Sequence, residues 1–333
     1  MDKIIRSVCL YQKNGDNSSQ AFLDNAVKKL KKSGFTIQTT RFCSPEQDFS
    51  KIKKLINCDY YSVGSVTEVP NFDKFLEAKN CSFNLDLSNE EISAQHVKIL
   101  FDIINKAPHK CFDFAYTFNN SHSSPFFPSA SYKKDGFSIG LQPTDLAENC
   151  SSLEDWFTNI RNIWEEIVDE FNTDKNFLGI DSSIAPLFEG KSSLINFVKK
   201  LGISFSDSLI SDIYLKMTNF IKTENPKPTG LCGLMLPCLE DFELAEEYEK
   251  GNFSLDKNIY LSLHCGLGID TYPIGIDEEP AKILNTLKLL QGLSNKYQKS
   301  LSARFISDGK AKIGEKTDLK NEYLKDVVVR PLS

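Results

Sequence analysis

The chain has 333 residues, of which 41% are hydrophobic and 25% are charged, and its formal net charge is -6. Lysine and arginine are mixed with aspartate and glutamate, and no apolar stretch approaches the roughly 20 residues that span a bilayer, so we expect no nucleic-acid or membrane partner. Nine cysteines without a CxxC pair and no visible signal peptide lead us to expect a cytoplasmic protein with reduced thiols.

Short β-branched or aromatic runs alternate with longer amphipathic patterns along most of the chain. The short runs predict strands near 4–11, 35–42, 59–64, 81–86, 112–118, 136–141, 177–181, 231–236, 259–264 and 301–306. The amphipathic patterns predict helices near 18–33, 151–171 and 278–297. Residues 119–135 predict a long loop. This alternation indicates parallel strands with helical crossovers, and ten strands suit a closed α/β barrel or a large mixed sheet.

Four predicted junctions between a strand and a loop contain residue types that carry chemistry. They are FLGIDSSIAP, CGLMLPCLED, LSLHCGLGID and ARFISDGKAK. In parallel α/β architectures the carboxyl ends of strands face a common crevice where ligands bind. We therefore expect side chains that are far apart in the sequence to converge on one central cavity. LSLHCGLGID is interpreted as a strand followed by a turn whose glycines permit close backbone approach.

Each candidate residue has a structural alternative. Cys265 is either a buried core thiol or an activated thiolate. Asp181 and Asp270 both follow Gly-Ile, and each either caps a turn or serves as an acid–base group or as a ligand of a divalent cation. His264 either belongs to the core or contacts a substrate. Lys310 either lies on a solvated loop or holds a carboxylate or phosphate.

The motifs GIDSSIAP, CGLMLPCLED, HCGLGIDTYPIGID and SARFISDGKAKIGEKTDL occur in the order in which they resemble the family called domain of unknown function 711, or uncharacterised protein family 0210. The similarity covers nearly the whole chain. It implies a fold like that of pyruvate formate-lyase, a ten-stranded α/β barrel with outer helices and two five-stranded halves. We expect one domain over 1–333, with halves at 1–145 and 146–333.

The resemblance also bears on mechanism. Glycyl radical enzymes of this fold use a cysteine at the tip of a central loop and a C-terminal glycine that carries the radical. Cys265 could stand where such a thiol stands, but Gly309 lacks the sequence pattern of the radical glycine. We therefore expect no radical mechanism.

Three functions are compatible with these residues. The first is a non-radical enzyme that acts on a small polar or carboxylate metabolite in a central cavity, with a divalent cation as a candidate cofactor. Its catalytic candidates are Cys265, Asp270 and Asp181, its cation ligands Asp181 and Asp270, and its substrate-binding candidates Arg304, Lys310, Ser182 and His264. The second is a ligand-binding or regulatory barrel without turnover. The third is a structural partner in a homo-oligomer, in which exposed Phe126 and Phe127 form a contact surface, although the two rings could equally plug the barrel.

Overall fold

The computed structural model describes residues 2–15, 17–69 and 71–332. Over these residues the chain divides into two compact units, each assembled from three segments. The first unit contains the residues up to Asn84, Ser121–Ile184 and Lys216–Gly233. The second contains Leu85–Asn120, Ala185–Leu215 and the residues from Leu234 onward.

The described residues form ten strands and eleven α-helices. The strands are β1 (Ile4–Tyr11), β2 (Thr36–Ile37), β3 (Thr40–Cys43), β4 (Tyr60–Val66), β5 (Cys81–Asp86), β6 (Phe114–Phe118), β7 (Gly136–Leu141), β8 (Phe177–Asp181), β9 (Gly268–Pro273) and β10 (Leu301–Ile306). The helices are α1 (Asn17–Lys32), α2 (Phe49–Leu55), α3 (Phe72–Glu77), α4 (Ala94–Lys106), α5 (Leu153–Phe171), α6 (Leu194–Lys200), α7 (Phe205–Leu209), α8 (Ile213–Thr223), α9 (Phe242–Glu249), α10 (Leu255–His264) and α11 (Pro280–Tyr297). None of the described helices has the length and apolarity needed to cross a bilayer.

The sheet of the first unit has the order β8-β7-β1-β3-β4-β5, and the short β2 also pairs with β1. β1, β3 and β4 are parallel neighbours, whereas β7 runs antiparallel to β1. Aromatic side chains from α5 and the strands form part of the core, because the ring of Phe137 on β7 lies 5.1 Å from Phe171 and 5.3 Å from Phe177. Burial of such large rings is a main source of stability.

The second unit contains a smaller sheet in the order β6-β10-β9. β10 is antiparallel to β6 and parallel to β9. Helix α11 packs against α4, β6 and β10, and α10 packs against β9. Gly268 at the start of β9 has φ +108°, and a Cβ there would lie 2.1 Å from the carbonyl oxygen of Ser302 on β10. The glycine is therefore needed for close backbone approach, as predicted, but the approach is to a strand rather than to a ligand.

The predicted α/β class is confirmed, since strands in parallel and antiparallel pairs alternate with helices. In neither unit do the described strands close on themselves, so the ten-stranded barrel with halves at 1–145 and 146–333 stays a prediction. The predicted helices at 18–33, 151–171 and 278–297 correspond to α1, α5 and α11. The loop predicted over 119–135 contains no helix or strand.

Two of the predicted strands are wrong. Residues 259–264 lie in helix α10, whose buried positions Leu255, Asn258, Leu261 and Ser262 follow a helical spacing of three or four. Leu263 is 38% exposed, so the alternation that imitated a strand does not define a buried face. Residues 231–236 form no strand, and only Leu234 among them makes an isolated bridge.

Candidate functional site

Asp181 ends β8 in the first unit and is completely buried. Its Oδ1 accepts hydrogen bonds from the backbone N–H (3.0 Å) and the hydroxyl (2.6 Å) of Ser183 and from the N–H of Cys232 (3.1 Å). Its Oδ2 accepts from the hydroxyl of Ser124 (2.8 Å) and the N–H of Leu231 (2.9 Å). Burial raises the pKa of Asp181, although these five donors favour the charged form. The carboxylate therefore ties two loops to the end of β8.

The neighbours of Asp181 have the same structural character. A Cβ on Gly230, where φ is +69°, would lie 2.2 Å from Oδ2 of Asp181. Ser182 is also completely buried, and its Oγ accepts hydrogen bonds from the indole N–H of Trp164 (2.6 Å) and the amide of Asn225 (3.2 Å). These two hydrogen bonds to Ser182 favour a role in forming the turn at this junction over a role in substrate binding.

The part of the 119–135 loop that belongs to the first unit begins at Ser121, and it is held by contacts within that unit. The carbonyl of Pro125 accepts hydrogen bonds from Ser7 (3.2 Å) and from the guanidinium of Arg41 (3.0 Å), and Arg41 also lies 5.2 Å from the ring centroid of Phe127. Phe126 is only 6% exposed. Of the two alternatives for Phe126, its burial favours an interior ring over an exposed contact surface, because the loop turns this ring into the unit.

In the second unit, Asp270 on β9 and Arg304 on β10 come together. The Nε of Arg304 donates to Oδ1 of Asp270 at 2.6 Å, and its NH2 group donates to Oε1 of Glu240. The exposed fractions of these side chains are 17% for Asp270, 8% for Arg304 and 7% for Glu240. Burial alone would lower the pKa of Arg304, but the two carboxylates more than offset it and raise this pKa above its ordinary value.

Phe112 contacts Arg304 through both its ring and its carbonyl group. The guanidinium carbon of Arg304 lies 5.0 Å from the centroid of the Phe112 ring, and NH1 of Arg304 is 3.5 Å from the Phe112 carbonyl oxygen. On the flank of Phe112, Lys110 donates to Asp113, and Lys110 is only 1% exposed. Burial raises the pKa of Asp113, against the opposing effect of Lys110. We call Arg304, Asp270, Glu240, Lys110 and Asp113 the buried charge cluster.

A cavity of about 480 Å³ lies in the second unit, which is within the usual range for small-molecule sites. It is lined by Pro108, His109, Phe112, Ile306, Ser307, Asp308, Lys310, Asp318, Leu319, Lys320, Asn321, Glu322 and Leu324. The predicted substrate-binding residue Lys310 is therefore part of a cavity wall. Arg304 does not line the cavity and acts on it through Phe112.

Cys265 and His264 lie at the end of α10. Cys265 is 1% exposed, and its thiol donates to the carbonyl of Leu261 at 3.4 Å. The ring centroid of His264 lies 4.9 Å from that of Tyr260, and burial lowers the pKa of His264. These contacts favour the core alternative for Cys265 and a structural role for His264. Cys265 is the C-terminal cap of α10 and does not follow a strand, and its role as a site residue stays a prediction.

A family model described as Uncharacterised ACR (DUF711) matches residues 65–320, which is well over half of the chain. The chain belongs to this family. The resemblance inferred from the motifs is thereby confirmed. Comparison with curated proteins gives no match.

The DUF711 motifs do not by themselves define a cation site. Among the residues that the structure describes, no three histidine, cysteine, aspartate or glutamate side chains form a group that could hold a metal ion. Both oxygens of Asp181 face hydrogen-bond donors, an arrangement that fits an acceptor and not a cation ligand. Asp270 is paired with Arg304. A divalent cation on Asp181 and Asp270 stays a prediction that these contacts do not favour.

Sequence reasoning missed several residues of this region. Glu240 stands in CGLMLPCLED, but no local pattern distinguishes it from the adjacent Asp241, which caps α9. Phe112, Lys110 and Asp113 directly precede β6, where no motif marks them. The one available signal was the i,i+3 spacing of Lys110 and Asp113 beside a strand.

Asp241 provides a pH-dependent contribution to stability. Its buried carboxylate accepts hydrogen bonds from Ser193 (2.7 Å) and from the N–H groups of Leu194 (3.0 Å) and Leu244 (3.3 Å), yet burial raises its pKa to about 7. A carboxyl whose pKa is raised on folding stabilises the native state below its unfolded pKa, and this contribution is lost as the pH rises towards 7. We expect the stability of the wild type relative to Asp241→Asn to fall between about pH 4 and pH 7.

Urea unfolding at pH 4.5, 6.0 and 7.5 measures this difference. Taking the difference between the two proteins removes the contributions of other titrating groups. Asp155→Asn is a control, because hydrogen bonds from Ser152 and Ser151 lower the pKa of that exposed helix-start carboxyl. The difference in the free energy of unfolding between the wild type and Asp155→Asn should change with pH in the opposite direction, or very little. A difference for Asp241→Asn that is independent of pH would contradict the assignment.

Proposed function

We propose that this DUF711 protein binds a small polar metabolite that carries a carboxylate, in the cavity of its second unit. The observation that carries the proposal is the position of Lys310 on the wall of a cavity of about 480 Å³. A lysine ammonium on a cavity wall pairs with a carboxylate or a phosphate. The mixed apolar and polar lining is also typical of small-molecule sites.

The buried charge cluster supports the proposal indirectly. Desolvated charges that are paired next to a cavity cost free energy to maintain, and such groups often mark functional sites. Here they hold Phe112 in place, since Arg304 both stacks on its ring and donates to its carbonyl. A fixed aromatic wall reduces the entropy that is lost when a ligand binds.

Binding is better supported than turnover. All of the donors around Asp181 are directed at its carboxylate, and the thiol of Cys265 is used within α10. Turnover by a non-radical enzyme is the second candidate, and Asp113 favours it. This carboxyl has a raised pKa and lies beside Lys110, next in the chain to the cavity residue Phe112, which is a setting used for general acids.

The barrel fold of pyruvate formate-lyase belongs to the same proposal. Supporting it, Pro228 makes a parallel bridge to Ile180 of β8 within the first unit. Within the second unit, Pro237 makes a parallel bridge to Asp270 of β9. One segment, 228–237, thus has strand-like pairing at both ends. A cytoplasmic location and a homo-oligomer also stay proposals.

The proposal predicts that Lys310→Ala weakens carboxylate binding. Thermal-shift measurements and calorimetry, with 4-methylpentanoate and inorganic phosphate as probes, measure the binding affinity. Removing a charge-assisted hydrogen bond should weaken binding of the carboxylate roughly tenfold. Lys312→Ala is the matched control, because Lys312 lies on the same loop, is exposed and does not line the cavity. Binding that is equal in all three proteins would place the ligand elsewhere.

A further inference from the structure

The cavity of the second unit has ionic groups of both signs on its wall. Its cationic side chains are Lys310 and Lys320, and its carboxylates are Asp308, Asp318 and Glu322. A site built only for an anion would not need three carboxylates, because like charges on the wall and on the ligand repel each other. The presence of both signs of charge on the wall therefore indicates which charges the ligand carries.

Two of the three carboxylates are already used by the protein. Asp308 accepts hydrogen bonds at 2.8 Å from the N–H groups of Lys310, Ala311 and Asp318, and these more than offset the effect of burial and lower its pKa. Asp318 lies 3.5 Å from the ammonium of Lys320. Among the residues that the structure describes, Lys310 and Glu322 form no ion pair with each other or with other side chains. The charge of Lys310 also helps to lower the pKa of Asp308, whereas Glu322 lines the cavity without an ionic partner among the described side chains.

Apart from His109, Ser307 and Asn321, the rest of the wall is apolar. Phe112, Leu319 and Leu324 contribute to it, and so do Pro108 and Ile306. The ring of Phe112 lies 5.0 Å from the guanidinium carbon of Arg304 and 6.3 Å from the stacked ring of Tyr323, and these contacts hold it in place. A ligand that buried an apolar group here would gain about 25 cal/mol for each Å² removed from water.

We propose that the ligand is zwitterionic, namely an α-amino acid with an apolar side chain. Its carboxylate pairs with Lys310, its ammonium pairs with Glu322, and its side chain lies against Phe112. This inference rests on the proposed function, since both use the same cavity. It adds the requirement for a cationic group and for an apolar side chain.

Isothermal titration calorimetry with four probes separates the two proposals. The probes are leucine, 4-methylpentanoate without the ammonium, 3-methylbutylamine without the carboxylate, and glycine without the apolar side chain. We expect leucine to bind at least tenfold more tightly than each of the others. If 4-methylpentanoate binds as tightly as leucine and still depends on Lys310, the zwitterion is excluded and the proposed function stands. If none of the probes binds, both proposals fail.

Variants test the role of Glu322 directly. Glu322→Gln should reduce the preference for leucine over 4-methylpentanoate to less than threefold, and it should leave 4-methylpentanoate affinity unchanged or higher. Glu90→Gln is the control, because Glu90 is also an exposed glutamate of the second unit but does not line the cavity. An unaltered preference in Glu322→Gln would overturn the assignment. Both glutamates are exposed, so neither change is expected to affect folding.

Discussion

Gly230→Ala is expected to lower the free energy of unfolding by roughly 3 kcal/mol or more. The new Cβ would lie 2.2 Å from Oδ2 of Asp181 and 2.8 Å from Cα of Ser124. The carboxylate has nowhere to move, because it is fully buried and accepts five hydrogen bonds. The loop must move instead, and the N–H groups of Leu231 and Cys232 then lose their acceptor. Each unsatisfied buried donor costs about 1–3 kcal/mol.

Gly34→Ala is the matched control for this prediction. Gly34 also belongs to the first unit and has φ +85°, but nothing lies within 4 Å of a Cβ built there. Its alanine variant should therefore lose only the left-handed backbone penalty of about 1 kcal/mol. Urea unfolding followed by tryptophan fluorescence compares the two, since Trp156 and Trp164 both lie in the first unit. Equal losses of unfolding free energy in the two variants would mean that the contact of the new Cβ with Asp181 contributes nothing to the destabilisation.

The close approach of Gly230 to Asp181 shows why the site was harder to predict than the fold. Asp181 was visible in the sequence, and capping was one of its two interpretations. Its donors on Ser124 and Leu231 lie 57 and 50 positions away. Such contacts depend on how loops fold back on a strand, and no local pattern encodes that. The sequence could place Asp181 at the end of a strand but could not show that its oxygens are fully used.

Local patterns predicted the secondary structure where one face alone is buried. Helix α5 is an example, with Trp156, Ile160, Ile163 and Ile167 buried at helical spacing. They failed at residues 259–264, where alternate apolar residues imitate a strand although the chain is helical. Periodicity over six residues cannot separate these two structures, because both patterns place apolar residues four apart. The longer window from Leu255 favours the helix.

The pairing of Asp270 with Arg304 depends on strand register. The sequence predicted Asp270 as a catalytic group or cation ligand and Arg304 as a substrate-binding group, and it did not predict that the two residues pair with each other. In the parallel pair of β10 and β9, Ala303 lies opposite Ile269 but Phe305 lies opposite Tyr272, so the register shifts by one residue at the position of Arg304 and Asp270. A further shift of one residue would turn the side chains to opposite faces of the sheet. Register is set by the packing of the whole unit, so the sequence could not provide it.

Arg304→Met is expected to lower the free energy of unfolding by roughly 3–5 kcal/mol, because it leaves two largely buried carboxylates without their cation. Arg161→Met is a close control. Arg161 also pairs with two carboxylates, Glu154 at 2.8 Å and Glu224 at 2.7 Å, but its side chain is 34% exposed. Solvent screens such pairs, so that variant should lose less than about 1 kcal/mol. Chemical unfolding of both variants by circular dichroism measures the difference.

The Arg304→Met variant also distinguishes a lost charge from a lost side-chain contact. If the cost comes from the uncompensated carboxylates of Asp270 and Glu240, acidification should reduce it, because protonation removes their charges. Adding Glu240→Gln to Arg304→Met should then recover part of the stability at pH 7. If the cost comes from the contact with Phe112, neither change should help, and leucine binding should weaken in every variant that lacks the guanidinium. A deficit no larger than that of Arg161→Met would show that the buried charge cluster is not an energetic unit, and the support it gives to the cavity wall would be lost.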